Sequence, residues 1–184
     1  MTTAELSQIV VVSGTLSSPS KTTELGRVIA ESVREYRPGS VRVIEVAELT
    51  AEIGQSLILG ETTPGLREAL DAVESADVLV AVSPVFKGSY SGLFKHFFDL
   101  VEPYALTNKP TILGATGGSA RHSLVVDYEL RPLFNYFNAH VAPVAIFATG
   151  EDFRAGEIIN QALLQRIDRA AAGYALRQPA EIAA

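Results

Sequence analysis

Three short segments of the chain carry residue types that could bind a phosphate group and a flat ring. Residues 13–22 (SGTLSSPSKT) contain six hydroxyl side chains, and residues 84–92 (PVFKGSYSG) and 111–121 (TILGATGGSAR) combine glycine with serine or threonine. Each segment lies where a short apolar run stops. Because loops at the carboxyl ends of parallel strands form the ligand sites of α/β proteins, the sequence predicts that these three segments meet in one site.

The hydroxyls of residues 13–22 directly precede a predicted helix. The first N–H groups of a helix lack backbone partners and the helix dipole is positive there, so this position favours a phosphate. The alternative is a polar turn with one N-cap residue, which would account for one or two of the hydroxyls. The spacing G-x-x-x-x-G-K-[ST] is missing from the sequence, so a nucleoside triphosphate is disfavoured.

The second segment is suited to one face of a planar ring. Pro84 stiffens the exit from the preceding apolar run, and Val85 and Phe86 offer an apolar wall. Gly88 allows close approach of the backbone, while Lys87 or a backbone N–H could face an electron-rich ring edge. The alternative is an ordinary loop with a half-buried phenylalanine.

The third segment offers backbone N–H groups to the same ring. Its small residues would let the carbonyl groups of a ligand approach the backbone closely. These residues are Thr116, Gly117, Gly118 and Ser119. The spacing G-x-G-x-x-G does not occur here, and the segment follows the fourth predicted strand instead of the first, so the sequence argues against a dinucleotide-binding Rossmann fold.

The composition predicts a globular protein with one domain, residues 1–184. Hydrophobic residues make up 47% and charged residues 20% of the 184 residues, which suffices for a core. The net charge of −6 argues against a general nucleic-acid binder, which normally presents a basic face. The sequence contains no cysteine, and His96, His122 and His140 are too far apart in it to predict a metal site.

The N-terminal residues do not match a secretory signal, because no basic region precedes a long apolar segment. No apolar run approaches the roughly 20 residues that cross a bilayer. We therefore expect a cytoplasmic protein that does not act at a membrane.

Apolar runs that alternate with amphipathic stretches predict strands and helices in turn. Strands are predicted at residues 8–13, 41–46, 78–83, 111–115 and 141–147. Helices are predicted at residues 22–36, 65–75, 92–101, 119–138 and 157–176, with residues 47–64 irregular and a frayed tail after Pro179. This alternation predicts an α/β fold, a flavodoxin-like three-layer sandwich with a five-stranded parallel sheet of order 2-1-3-4-5.

Two stretches of the sequence resemble a known family. They are SPVFKGSYSGLFKHFFDL and ATGGSARHSLVVDYELRPLF, and they are similar to the NAD(P)H-dependent FMN reductases that partner alkanesulfonate and methanesulfonate monooxygenases. The resemblance extends from the first hydroxyl loop to about Phe147. It implies an enzyme that uses FMN with NADPH or NADH and passes reduced FMN to a partner flavin-dependent monooxygenase.

The resemblance also implies roles for particular residues. The FMN phosphate would be held by Ser13, Ser18, Ser20 and Thr22. The isoalloxazine ring would be framed by Pro84, Val85, Phe86, Lys87, Gly88, Thr116, Gly117, Gly118 and Ser119. His122 would reach the nicotinamide or a flavin edge, the alternative being a hydrogen bond at the start of a helix. Since hydride passes directly from nicotinamide C4 to flavin N5, no acid–base residue is predicted.

The helix predicted after the third segment contains a break in its apolar pattern. The apolar stripe before Tyr128 is about one residue out of phase with the stripe after it. Pro132 has no N–H for the carbonyl of Tyr128, which predicts a one-residue wide turn, or π-bulge, with an ordinary proline kink as the alternative. The resemblance favours the bulge, and our hypothesis is that Tyr128 crosses a subunit interface near the flavin and eases FMN exchange.

Two predicted helices carry more aromatic surface than one face of a sheet is expected to cover. The residues are Phe94, Phe97, Phe98, Phe134, Tyr136 and Phe137. We expect these helices to pack together in a homo-oligomer, either a homotetramer, as the resemblance implies, or a homodimer.

The residues leave two other functions open. One is an FMN-containing NAD(P)H reductase of quinones, azo dyes or metal oxyanions. The other is a flavodoxin-like electron carrier, which is disfavoured by the moderate charge and by the lack of a T-x-T-G-x-T phosphate loop in the sequence.

Overall fold

A parallel β-sheet with helices on both faces forms the framework of the chain. The computed structural model describes residues 7–175. The strands of this sheet are β1 (Ser7–Ser13), β2 (Gly39–Glu45), β3 (Val78–Pro84), β4 (Pro110–Gly117), β5 (His140–Val141) and β6 (Ile146–Thr149). The α-helices are α1 (Lys21–Tyr36), α2 (Thr50–Leu59), α3 (Pro64–Ser75), α4 (Gly92–Asp99), α5 (Arg131–Tyr136) and α6 (Gln161–Ala175). The tail predicted to fray after Pro179 lies outside the described residues.

The order of the strands is β2-β1-β3-β4-β5, with β6 also paired with β4, and these pairings are parallel. The register places Val11 beside Val43 on one side and beside Val80 on the other. Order and direction confirm the predicted flavodoxin-like α/β sheet. Because β1, β3 and β4 run in the same direction, the loops that follow them lie at one edge of the sheet.

Alternate residues of the central strand face the two layers of helices. Ile9 and Val11 of β1 pack in the cluster that contains α1 and α6 residues, whereas Val10 and Val12 pack with residues of α3, α4 and α5. These four side chains are at most 2% exposed. A strand that is covered on both faces has apolar residues in succession, which explains the unbroken run that begins at Ile9.

The fifth predicted strand is divided in two. β5 pairs with the beginning of β4, with His140 opposite Pro110, and β6 pairs with the end of β4. Pro143 lies between β5 and β6 and has no N–H to donate to a neighbouring strand. The prediction of one continuous strand at residues 141–147 is therefore wrong.

The segment read as irregular contains a helix. Residues 47–64 include most of a 3₁₀ turn (Val46–Leu49), which is followed by α2. Leu57, Ile58 and Leu59 are all exposed on α2. Because these apolar residues do not follow a buried stripe, the periodicity of the sequence does not indicate this helix.

The last helix is shorter than predicted. α6 begins at Gln161, whereas Glu157 belongs to a two-stranded hairpin of β7 (Phe153–Arg154) and β8 (Glu157–Ile158). The side-chain oxygen of Asn160 accepts hydrogen bonds from the N–H groups of Ala162 and Leu163, at 2.9 and 3.3 Å. An asparagine that satisfies the free N–H groups at this point sets the start of the helix.

Most of the aromatic residues expected at an interface lie in the core of the chain itself. They are Phe94, Phe97, Phe98, Phe134 and Phe137, each at most 3% exposed. The rings of Phe98 and Phe134 meet edge to face with their centroids 4.9 Å apart. Tyr136 is the exposed member of the predicted set. The premise that these helices carry surplus aromatic surface is therefore wrong.

The packing of α1 on the sheet makes Gly26 a sensitive position. A Cβ added there would lie 2.6 Å from Val11 Cγ1 and 3.0 Å from Val82 Cγ2. We expect Gly26→Ala to lower the free energy of unfolding by about 1–3 kcal/mol, because overpacking outweighs the better helix propensity of alanine. Chemical denaturation measures the change.

Gly54 in α2 provides the matched control, since nothing lies within 4 Å of a Cβ added there. Gly54→Ala is expected to raise the free energy of unfolding by about 0.5–1 kcal/mol through helix propensity alone. A Gly26→Ala protein that is as stable as Gly54→Ala would contradict the close approach of α1 to the sheet.

Candidate functional site

The three predicted loops meet at the carboxyl edge of the sheet and are joined by hydrogen bonds. Gly14 N donates to Val82 O at 2.7 Å, which ties the loop after β1 to β3. Val85 N donates to Thr116 O at 2.8 Å. The hydroxyls of Thr22 and Thr116 are 2.6 Å apart, which joins the start of α1 to the end of β4. The structure thus brings the first and third loops into direct contact.

Two buried serines that sequence reasoning missed fix the second loop, and one of them ties it to the first loop. Ser91 Oγ donates to Gly14 O at 2.7 Å, and Ser91 N donates to Ser83 Oγ at 3.0 Å. Both side chains are at most 1% exposed. Buried hydroxyls need such partners. The Ser91–Ser83 bond closes the second loop, and the Ser91–Gly14 bond ties it to the first. Two sequence signals could have identified these serines. Ser83 ends an apolar run, and Ser91 stands just before a predicted helix.

The hydroxyls of the first loop have different surroundings. Ser18 is exposed, and Ser20 is the N-cap of α1, where its Oγ accepts a hydrogen bond from Thr23 N at 3.2 Å. Ser13 has no exposed surface, and its hydroxyl lies 2.9 Å from Thr23 Oγ1. Ser13 therefore supports the loop from inside, whereas Ser18 and Ser20 line an open hollow of about 610 Å³.

The second loop is a tight turn. Phe86 and Ser89 exchange backbone hydrogen bonds of 2.8 and 3.1 Å, and Lys87 and Gly88 between them have φ angles of 52° and 90°. Two successive residues with positive φ are typical of a two-residue hairpin turn. A Cβ added at Gly88 would meet nothing within 4 Å, and Phe86 is 47% exposed. The turn therefore presents an aromatic ring and open backbone.

The third loop begins where β4 ends. Thr116 lies opposite Pro84 in the sheet, and both residues are half-buried. A Cβ added at Gly117 would lie 2.7 Å from Phe147 Cζ, so packing requires this glycine. Gly118 has open space where a Cβ would stand, and a flat ligand can approach the bare backbone there.

The long helix predicted after this loop is interrupted. It consists of a 3₁₀ turn (Ala120–His122), a π-helix (Val126–Leu130) and α5. Ser119 precedes the first turn, and its carbonyl accepts a hydrogen bond from His122 N at 3.3 Å. His122 is half-buried, and its Nε2 accepts a hydrogen bond from Arg121 Nε at 3.2 Å.

The π-helix confirms the wide turn predicted at Tyr128. Arg131 N–H donates to Val126 O, five residues earlier, in place of the four of an α-helix. Val126 and Leu130 have no exposed surface, whereas Tyr128 is 72% exposed. The wide turn therefore leaves Tyr128 outside while the apolar residues at both ends of the π-helix stay in the core.

A cavity of about 290 Å³ brings the second loop and the π-helix together. It is lined by Gly88, Arg121, His122, Leu124, Val125, Tyr128 and Glu129. Three of these residues are candidate site residues predicted from the sequence: Gly88, His122 and Tyr128. A larger hollow of about 800 Å³ beside α1 and α6 is lined by none of the predicted site residues, so its size does not make it the functional site.

Two charged side chains, Arg121 and Glu129, line this cavity. Ser89 Oγ donates to Glu129 Oε2 at 2.9 Å, which connects the turn of the second loop to the π-helix. Burial raises the pKa of the neighbouring Tyr90 phenol; the Lys95 ammonium opposes this rise, and the Glu129 carboxylate adds to it. The lining of the cavity thus combines an acidic side chain, Glu129, with a basic one, Arg121.

Metal ligation and membrane insertion each need a recognisable feature, either clustered ligands or a long apolar helix. Among residues 7–175, no three His, Cys, Asp or Glu side chains are grouped so that they could hold a metal ion. In the same part of the chain, no helix combines the length and the apolar character needed to cross a membrane.

A family model and several relatives match the chain over most of its length. The model described as NADPH-dependent FMN reductase matches residues 7–154. The chain is 41% identical over 164 residues to an FMN reductase (NADPH) of Pseudomonas aeruginosa, which covers 89% of this chain and 88% of the relative. It is 40% identical over 163 residues to the NADH-dependent FMN reductase SfnF of Pseudomonas putida, which covers 88% of each.

Solved structures show the same similarity. An oxidoreductase from Corynebacterium diphtheriae matches with a TM-score of 0.87 and 42% identity, over 94% of this chain and 96% of that one. The apo form of an NADH:FMN oxidoreductase matches with a TM-score of 0.84 and 30% identity, over 96% and 92%. The chain therefore belongs to the NADPH-dependent FMN reductase family, as an oxidoreductase that uses FMN and a nicotinamide cofactor.

Proposed function

We propose that this FMN reductase exchanges its flavin and supplies reduced FMN to a separate flavin-dependent monooxygenase. The observation that carries the proposal is the π-helix, which leaves Tyr128 72% exposed in the wall of the 290 Å³ cavity. A cavity that is lined by an exposed side chain on a wide turn favours exchange of FMN over its permanent retention. Two observations support the transfer of reduced FMN to a monooxygenase. Relatives are named SfnF and SfnE, and the sequence motifs resemble those of reductases that serve sulfonate monooxygenases.

The FMN phosphate binds at the start of α1 in this proposal. Ser18 and Ser20 line the open hollow there, and α1 is 16 residues long, so its free N–H groups and its dipole favour an anion. The hydroxyl of Thr22, 2.6 Å from that of Thr116, contacts the phosphate in this proposal and links the phosphate end of the site to the ring end. Ser13 acts indirectly, by supporting the first turn of α1 from inside.

The flavin ring binds between the second and third loops in this proposal. The turn at Gly88 and the open backbone at Gly118 leave room for a flat group, and the exposed ring of Phe86 offers an apolar contact. His122 lines the adjoining cavity and contacts the nicotinamide or a flavin edge. With both bound, the flavin would accept a hydride from the nicotinamide. The residues of the chain stack and orient the two rings, and no acid–base residue is needed.

We further propose that the chain acts as a single domain in a homo-oligomer. Leu124 and Tyr128 are 61% and 72% exposed, and Tyr136 is 69% exposed. Exposed apolar and aromatic side chains are enriched at protein–protein interfaces. A cytoplasmic location fits the supply of NADH or NADPH.

Steady-state oxidation of NADH or NADPH, with a catalytic amount of protein and excess free FMN, tests the proposed function. We expect saturable turnover of the added FMN. Turnover that requires an added quinone or azo dye would instead favour a reductase with resident flavin, and near absence of turnover would favour an electron carrier. Product formation by an added flavin-dependent monooxygenase should rise in proportion to the reductase supplied.

A further inference from the structure

A side-chain hydrogen bond connects the turn of the second loop to the π-helix. Ser89 Oγ donates to Glu129 Oε2 at 2.9 Å, and both residues are half-buried. Glu129 lines the 290 Å³ cavity together with Gly88 of the turn. The bond therefore joins two walls of one cavity that are about 40 residues apart in sequence.

The turn on one side of this bond is a closed unit. Phe86 and Ser89 exchange two backbone hydrogen bonds across it, and Lys87 and Gly88 have positive φ angles. A two-residue turn with both backbone bonds formed has little freedom to change shape internally. Any displacement of Ser89 therefore displaces Gly88 and Phe86 with it.

The π-helix on the other side does not need Glu129 for its own packing. Val126 and Leu130 have no exposed surface and anchor its two ends in the core. Asp127 on the same helix accepts a hydrogen bond from Arg131 Nε at 3.0 Å. The carboxylate of Glu129 is thus left to act on the turn, through Ser89.

We propose that Ser89 and Glu129 are positioning residues that set the separation of the turn from the π-helix, and with it the fit of the flavin ring. The inference rests on the proposed placement of the ring at this turn. A hydrogen bond to an ionised carboxylate is stronger than one between neutral groups, so loss of either partner releases the turn. Because the turn contacts the ring and not the phosphate, its release affects FMN and riboflavin alike.

Glu129→Ala, Ser89→Ala and the double variant test the proposal through KM for FMN and for riboflavin. Each single variant is expected to raise both KM values about tenfold, with kcat changed by less than about threefold. The double variant is expected to match the single variants, because the second substitution removes a bond that is already lost. Glu129→Gln keeps an acceptor oxygen, so its KM should stay within about threefold of the unmodified protein.

Asp127→Ala is the matched control, since it removes a carboxylate of the same helix that bonds Arg131 and not the turn; its KM should stay within about twofold. Unfolding midpoints of all variants separate a loss of fold from a loss of fit. Unchanged KM in both single variants, or effects that multiply in the double variant, would overturn the proposal. Failure of the unmodified protein to turn over free FMN would instead overturn the proposed function.

Discussion

Replacement of Ser20 and Thr22 together by alanine is expected to weaken FMN binding about 30-fold. Ser20 is the N-cap of α1 and Thr22 lies in its first turn, at the helix end where the phosphate is proposed to bind. Each hydrogen bond to a charged phosphate oxygen contributes at least about 1 kcal/mol, and a total of about 2 kcal/mol corresponds to a ~30-fold change in Kd. Titration of the apoprotein with FMN, followed by flavin fluorescence, measures the change.

Two controls separate a ligand contact from a loss of stability. Riboflavin has no phosphate, so its affinity should change little in the double variant. Ser20 also caps α1, and loss of a cap lowers the free energy of unfolding by about 1 kcal/mol. Thr63→Ala removes the N-cap of α3, which accepts a hydrogen bond from Leu66 N at 3.2 Å, and should lower stability without changing FMN affinity. Equal weakening of FMN and riboflavin would show that the loop does not hold the phosphate.

Deletion of Tyr128 is expected to slow the turnover of free FMN about tenfold or more and to leave FMN bound through purification. The deletion brings Arg131 N–H to the fourth position after Val126, so the bond that now spans five residues becomes an ordinary α-helical bond. A regular helix removes the exposed side chain from the cavity wall, and slower release of flavin then limits turnover. The ratio of FMN to protein, read from visible absorbance, and the steady-state rate with free FMN measure the two effects.

Substitutions at the same position test whether the wide turn or the side chain is responsible. Tyr128→Ala keeps the number of residues and therefore the π-helix, so it separates the backbone effect from loss of the phenol ring. Tyr104→Ala removes another exposed tyrosine, which does not line the cavity, and should leave exchange unchanged. Sedimentation of the unmodified protein tests the proposed homo-oligomer, and it should show a species larger than the 19.7 kDa of a single chain. A folded deletion protein that purifies colourless and reduces free FMN at the normal rate would contradict the proposal.

The strand order, the three loops and the wide turn at Tyr128 can all be predicted from the sequence. Each depends on a signal carried by neighbouring residues. Strands such as β1 are buried on both faces and therefore show unbroken apolar runs, and alternation with helices restricts the sheet to a parallel arrangement. Pro132 removes one donor from the helix and the apolar stripe shifts by one residue, which predicts either a π-bulge or a proline kink, and the family resemblance favours the bulge.

The role of each polar or aromatic side chain was decided only by the tertiary structure. Ser13 and Ser20 belong to the same hydroxyl-rich segment, yet Ser13 is buried against Thr23 and Ser20 lines an open hollow. Ser91 bonds the carbonyl of a residue 77 positions away, which no local pattern indicates. The sequence likewise could not show that most of the aromatic residues on α4 and α5 lie in one core instead of at an interface. Burial and pairing depend on which distant segment packs alongside, and the sequence around a residue does not contain that information.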